Sequence, residues 1–453
     1  MNQILRIYVF AAFLINAVKI PAQELQNLSL ETAAALARTN KPALRKYPVE
    51  EQINAARMAE TRLRRGVKLG AAAEAQVNPF LPASIIPVGQ FNLQNPNDET
   101  RAIRFGTWWQ AAFGLTASVA LIDATTGAQL REQEFQYRLT ENERKTTETN
   151  VVAEVIRAYY ALLLAGEEVR FLESDLKRAN TFLSDAEQRR SGGSGLPADV
   201  NTAQLLVNDA QLRFEQAREN QRLALENLLF SMGLPAEQAG ELRLGETLQD
   251  ILAKTEAASN ERFDPATAEQ NRPDLQRLIL DDLLQNLKTE TEKARLKPTL
   301  TANAYLGLNN FSDETPLFTE NSWFANGNAA LRLNVPLSER WELKKRIQAL
   351  SLKQQQNAAQ RDELRRQARH EFESAYSAFA LAKRQLPIRR NDIGLAASNL
   401  ELAQARYTGG GGLASEITDA ETTVQQKQYA WLQTAYNLLL AELEMRLARG
   451  EVR

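Results

Sequence analysis

Apolar residues recur along this chain with two different periods. Between Asp123 and Arg190 they step by three and four, so that Val152, Val155, Tyr159 and Leu162 share one face of a helix. That stretch has no Pro and only two Gly, and at 1.5 Å per residue it predicts a helix roughly 100 Å long. Ser338–Arg406 is the matching run, broken only by Pro387, where a kink is expected. Further on, Ile417, Val424, Trp431, Leu438 and Met445 recur every seven residues, the seam of a left-handed supercoil. Ala420, Ala441 and Ala448 lie three residues past seam positions and permit close helix approach.

Four other stretches alternate instead. Leu300, Ala302, Ala304, Leu306 and Leu308 face Thr301, Asn303, Tyr305, Gly307 and Asn309. Ala329, Leu331, Leu333 and Val335 oppose Asn328, Arg332 and Asn334; Ala111, Phe113, Leu115, Ala117 and Val119 oppose Gln110, Thr116 and Ser118. Leu69, Ala71, Ala73, Ala75 and Val77 oppose Glu74, Gln76 and Asn78. These predict strands over about 68–80, 107–122, 298–310 and 324–337, each near the length that crosses a bilayer as a β-strand. A half-buried soluble sheet gives the same period-2 signal. Trp108, Trp109, Trp323 and Phe324 fall at strand ends, where an aromatic girdle would lie. The polar loops Pro79–Phe105 and Asn310–Ser322 suit the extracellular side of membrane hairpins. Four strands cannot close a barrel, and open edges are not tolerated in lipid, so a spanning sheet requires several copies.

The order of these patterns repeats. Ala186–Gln204 and Ala403–Glu421 match at an offset of 217, pairing Arg189 with Arg406, Gly192 with Gly409, Gly195 with Gly412 and Leu196 with Leu413. Upstream, Lys41-Pro-Ala-Leu matches Arg272-Pro-Asp-Leu at an offset of 231, so the first half carries roughly fifteen extra residues between the two landmarks. The organisation expected is a signal peptide over 1–22, a first repeat over 23–232 with its hairpin tip near 189–197, a connecting equatorial region over 233–270, and a second repeat over 271–453 with its tip near 406–413. Residues 1–22 have a single Arg before a short apolar run and a small residue, Ala22, at the cleavage position.

Composition narrows the function. There are 54 Lys and Arg against 56 Asp and Glu, one His and no Cys. The absence of Cys excludes disulfides, thiolate metal sites, Cys nucleophiles and a lipid anchor on an N-terminal Cys. Near-neutral charge argues against nucleic-acid binding by bulk charge. His370 lies on a charged helical stretch and reads as solvated, and no metal site or cofactor is expected. Asp281-Asp282 and Glu167-Glu168 are adjacent and point to different helix sides, which disfavours acid–base chemistry. Gly409–Gly412 lacks the Lys-Ser/Thr of a phosphate loop. The chain reads as a non-enzyme.

The two repeats, Arg272-Pro-Asp-Leu, Lys297-Pro-Thr-Leu-Thr, Val335-Pro-Leu, Arg406-Tyr-Thr-Gly and Thr418-Asp-Ala-Glu together resemble the TolC family of outer-membrane efflux proteins over essentially the whole chain after the signal peptide. The resemblance implies an α+β membrane protein: a homotrimer with a twelve-stranded outer-membrane β-barrel, four strands per chain, continuous with a long periplasmic α-helical barrel. It implies an exit duct for an inner-membrane pump or type I secretion system, docked through a periplasmic adaptor (membrane fusion protein). A periplasmic coiled-coil scaffold without a barrel is the alternative. The family's function sits at the Gly turns, which implies adaptor docking by Arg189, Gly192, Gly195, Leu196, Arg406, Gly409, Gly412 and Leu413. Glu416 and Asp419, three apart on one helix face, match the family's acidic pore constriction, and Tyr407 matches a tyrosine of its closing network. The family's best-known member has an arginine where this chain has Gly412, so one latch contact of the closed state is expected to be missing.

Overall fold

The computed structural model describes residues 27–88, 94, 98–257, 263–313 and 323–452, so the signal peptide expected over 1–22 lies outside the described residues. In chain order the elements are α1 (Leu30–Asn40), α2 (Pro42–Arg45), α3 (Tyr47–Leu63), β1 (Lys68–Val77), β2 (Ala83–Ile86), β3 (Arg101–Arg104), β4 (Trp109–Ile122), α4 (Ala124–Ser191) and α5 (Pro197–Met232). A 3-10 turn leads to α6 (Leu248–Ala257), α7 (Pro265–Asn271) and α8 (Pro273–Ala294). Then come β5 (Thr299–Ser312), β6 (Trp323–Asn334), α9 (Arg340–Thr408) and α10 (Ala414–Arg449). Contacts divide the chain into two units: 1–50, 140–279 and 358–453 form one, and 51–139 with 280–357 form the other.

The main sheet of the second unit is antiparallel, in the order β1-β4-β5-β6. Its register keeps every apolar set on one face: Ala71 pairs with Leu115, Leu115 with Leu306, and Leu306 with Gly327. The next row of that face is Ala73, Phe113, Leu308 and Ala325. The opposite face carries Gly70, Thr116, Tyr305 and Asn328 in one row. A one-residue slip would invert this sorting, so the alternation fixes the register. The Tyr305 ring lies over Gly114 and Gly307 on the polar face, filling space where those residues have no Cβ. Leu115, Leu306 and Leu331 are exposed, so the apolar face is uncovered within one chain. Two expectations change. The stretch Pro79–Phe105 is not a plain loop: β2 and β3 form a second antiparallel pair inside it, with Ile85 and Ile86 supplying β-branched residues, which accounts for the extra length of the first repeat. Asn310 belongs to β5 rather than to a loop, paired with Ala111 and Trp323.

The first unit is built from long helices. Val152, Val155, Tyr159 and Leu162 are buried together with Leu438, Leu439 and Trp431. All five heptad-seam residues of α10 are buried. Pro387 lies inside α9, which continues on both sides of it and buries Ala382, Leu386 and Ala396.

Pseudo-symmetry extends to single contacts. Gly233 ends α5, and a Cβ there would lie 2.9 Å from the Asn40 and Lys41 backbone; Gly450 ends α10 and would meet Arg272 and Asn271 at 2.7 Å. The Lys/Arg-Pro motifs are therefore the seats of the two helix ends. Lys41 reaches Glu154 at 3.0 Å, and Arg272 reaches Glu371 at 2.9 Å. One pair is reversed: Arg38 meets Glu148 at 2.8 Å, whereas its counterpart Glu269 meets Arg365 at 2.5 Å. Docking either short helix on the other repeat's long helix would oppose like charges. Arg38→Glu alone is expected to cost about 0.5–1 kcal/mol, with Arg38→Glu plus Glu148→Arg recovering it. A double-mutant cycle on thermal unfolding measures that coupling.

Candidate functional site at the hairpin tips

The two helical hairpins turn through the same backbone. Ser194 N–H and Gly195 N–H donate to Arg189 O at 2.9 and 3.0 Å; Gly411 N–H and Gly412 N–H donate to Arg406 O at 3.0 Å each. The left-handed residue is Gly193 (φ 78°) in one tip and Gly410 (φ 88°) in the other, one place beyond Gly192 and Gly409. Gly195 and Gly412 are required for a different reason. A Cβ at either would lie 2.8 Å from a backbone nitrogen, that of Arg190 or of Tyr407. No side chain fits at position 412, so an arginine there is incompatible with this turn.

A different contact joins the two hairpins at this level. The Arg189 guanidinium lies 4.6 Å from the centroid of the Tyr407 ring, a cation–π contact joining the tips. Phe182 packs edge-on against the same ring at 5.3 Å. Tyr407 is buried, with its hydroxyl turned toward the Asp199 carboxylate. Burial pushes its pKa up, and the nearby Asp199 carboxylate adds to that. Beneath it, Ala179, Ala186, Ala203, Ala210, Ala396 and Ala414 let the four helices approach closely. Leu196 and Leu413, which start α5 and α10, stay 65% and 66% exposed. Arg406 reaches across its own turn to Glu416 at 3.5 Å. Asp419, one turn along α10, is exposed. His370 is exposed, and no cluster of three metal-ligating side chains occurs among the described residues.

Sequence reading missed the most buried charges near the tips. Asp175 and Arg178 on α4 meet Glu421 and Gln428 on α10. Arg178 Nε and Nη2 donate to the two Glu421 oxygens at 2.9 and 3.1 Å, and Nη2 also bonds Asp175 Oδ1. Gln428 Nε2 donates to the same Asp175 oxygen at 3.4 Å. Asp175 and Glu421 side chains are 1% and 2% exposed, and Asp175 Oδ2 has no partner. Two carboxylates thus share one guanidinium. Burial outweighs Arg178 and holds both acids above the ordinary carboxylate range. Asp175 and Arg178 are three apart on α4, and only the packing of α10 against α4 brings Glu421 to them.

Known proteins are similar to this chain in sequence or in fold. The alkaline protease secretion protein AprF of Pseudomonas aeruginosa is 24% identical over 223 residues, covering 49% of this chain and 45% of AprF, so the chain matches less than half the length of that relative. The outer membrane protein VceC of Vibrio cholerae superposes with a TM-score of 0.68 at 16% identity, over 94% of this chain and 97% of VceC. The open state of the Neisseria gonorrhoeae MtrE outer membrane channel gives 0.69 at 17% identity, over 93% and 88%. The family profile described as outer membrane efflux protein matches residues 90–234 and 265–451, taking in β4, β5, β6 and both long hairpins. By that match, and by the α+β fold built on four strands and two long helical hairpins, the chain belongs to the outer membrane efflux protein family.

Proposed function

We propose that this chain is the outer-membrane exit duct of a tripartite efflux pump or type I secretion system. It acts as a passive homotrimeric channel, opened at its periplasmic tip when an adaptor and an inner-membrane pump dock. The observation that carries the reading is the open four-stranded sheet. One face is apolar, with Leu69, Leu115, Leu306 and Leu331 exposed on it, and β1 and β6 are edges without neighbours among the described residues. Such edges are stable in lipid only when other copies close them. Three copies supply twelve strands, enough for a wide polar lumen lined by the Thr116, Tyr305 and Asn328 face. The helices point the same way. Leu381, Ile388, Leu395 and Leu402 repeat every seven residues along α9, yet all are exposed, as are Leu205 and Leu212 on α5. A second seam without a partner in one chain fits burial against a neighbouring copy.

In this reading Leu196 and Leu413 offer apolar contacts to the adaptor, and the Arg189–Tyr407 contact holds the tips closed. Glu416 and Asp419 form rings of carboxylates at the constriction, which attract cations. The test is single-channel conductance of detergent-purified protein in planar bilayers. Wild type is expected to give a small, cation-selective conductance. Glu416→Ala with Asp419→Ala is expected to raise it or to weaken block by multivalent cations. No change in either property removes the gate assignment, and failure of folded protein to insert removes the duct.

A further inference from the structure

The helix-to-strand junction of the second unit is strongly basic in a chain that is close to neutral overall. Segments 60–68, 123–133, 288–297 and 339–346 hold thirteen Lys and Arg against seven Asp and Glu, whereas the whole chain carries −2. These segments are the ends of α3 and α8 and the starts of α4 and α9, the four helices that feed the four strands of the sheet. Between them lies a cavity of about 600 Å³. Four cations line it, Arg64, Lys288, Arg295 and Arg346, with the carboxylates of Glu132 and Glu292. Glu292 serves two of the cations, Arg295 at 3.1 Å and Arg346 at 3.3 Å. Glu132 accepts from Thr291 Oγ1 at 3.1 Å. Lys288 is half-buried and has neither an ion pair nor a hydrogen bond among the described residues. Arg64 pairs with Glu60 at 2.9 Å and Arg346 also with Glu342 at 3.5 Å, so Lys288 is the wall cation left without a carboxylate among the described residues.

Its position names the class of anion. Arg64 and Arg295 each stand four residues before the first residue of a strand, β1 and β5. The same junction exposes Leu63, Val67, Leu337 and Trp341, the last at 76%. Large apolar side chains, an exposed Trp and a band of Lys and Arg in one short interval are the features of a bilayer interface, where acyl chains end and headgroups begin. A free phosphate would use the cations and leave the apolar residues without a role.

We propose that this cavity holds the phosphodiester headgroup of an anionic phospholipid from the periplasmic leaflet, with its acyl chains on the exposed apolar side chains above. Lys288 and Arg346 contact the phosphate oxygens, and Arg64 and Arg295 close the rim. The site rests on the reading of the sheet as a membrane barrel. It adds a lipid specificity that the barrel alone does not require, since an apolar face accepts any acyl chain.

The test uses full-length protein purified in detergent and inserted in bilayers. Insertion and conductance are measured first, in phosphatidylcholine. Protein that does not insert removes the barrel reading itself. With inserted protein, retention of phosphatidylglycerol and of phosphatidylcholine is compared by native mass spectrometry after release from the bilayer. Phosphatidylglycerol is expected to be retained at least about tenfold more tightly, and Lys288→Gln with Arg346→Gln is expected to abolish the difference while leaving conductance unchanged. Equal retention of the two lipids, or a preference that survives the double substitution, overturns the proposal. Displacement of phosphatidylglycerol by inorganic phosphate at equal concentration also overturns it, because the site would then recognise a free anion.

Discussion

Replacing Arg178 with alanine is expected to loosen α4 from α10 at a cost of about 3–5 kcal/mol. Among the described residues its guanidinium is the only cation hydrogen-bonded to Asp175 and Glu421, and both acids are almost completely buried. Its loss leaves two uncompensated carboxylates in an apolar setting, which costs far more than losing a surface bridge. Asp175→Leu, Arg178→Met and Glu421→Leu together are expected to return stability to wild type or above it, because desolvation of three charged groups then disappears. Hydrogen exchange of the amides around residues 175 and 421 reports the local opening. Exchange in the triple variant as fast as in Arg178→Ala would show that the charges do not control this contact. The pH dependence has a definite sign. Both acids are held above their ordinary values of 3.8 and 4.5, so the folded state binds their protons more tightly than the unfolded chain does. Their contribution to stability is therefore fully present below those values and falls as pH rises through the raised folded pKa values. The slope of stability against pH in wild type should exceed that of Glu421→Gln in this sense, with the variant flatter.

Alanine at Gly195 and Gly412 is expected to open the tips, at about 1–3 kcal/mol for each substitution. Both new methyl groups would sit 2.8 Å from a backbone nitrogen, an atom that moves only if the turn moves. Displacing the turn after Arg406 shifts Tyr407 from under the Arg189 guanidinium, so the contact between the hairpins goes with it. The double variant should conduct more than wild type in planar bilayers. Gly411→Ala is the control: a Cβ there meets nothing within 4 Å, its φ is not positive, and conductance should not change. An effect of Gly411→Ala as large as that of Gly412→Ala would trace the change to general loosening of the loop rather than to this clash.

Much of this architecture is written locally. Period-3.6 and period-2 stretches name the helices and the four main strands, because a side chain's face follows from its position once the element type is set. The seven-residue seam of α10 is buried as its spacing predicts. The 217-residue offset anticipates identical turns, since matched Gly and Leu positions impose matched backbones. Local signals mislead where a neighbour decides. The segment 79–105 reads as a loop by its Pro and Asn content, while Ile85 and Ile86 pair with Ala102 and Arg101.

The site divides along the same line. Sequence alone marks the tip glycines, because turn chemistry acts over a few residues, whereas the gate role proposed for Glu416 and Asp419 comes from the family resemblance. It does not assign the glycines their separate duties. Positive φ at Gly193 and Gly410 and close approach at Gly195 and Gly412 become distinct only in three dimensions. Nor does it join Arg189 to Tyr407, or Asp175 and Arg178 to Glu421, residues separated by more than 200 positions in the chain. Those contacts depend on which helix lies against which, and burial of whole apolar faces decides that before any charge finds its partner. Sequence by itself therefore determined the elements, the repeat and the turns, whose causes are local. Tertiary structure alone decided the charge pairing between hairpins and the basic cavity beneath the sheet, because both arise where distant segments are brought side by side.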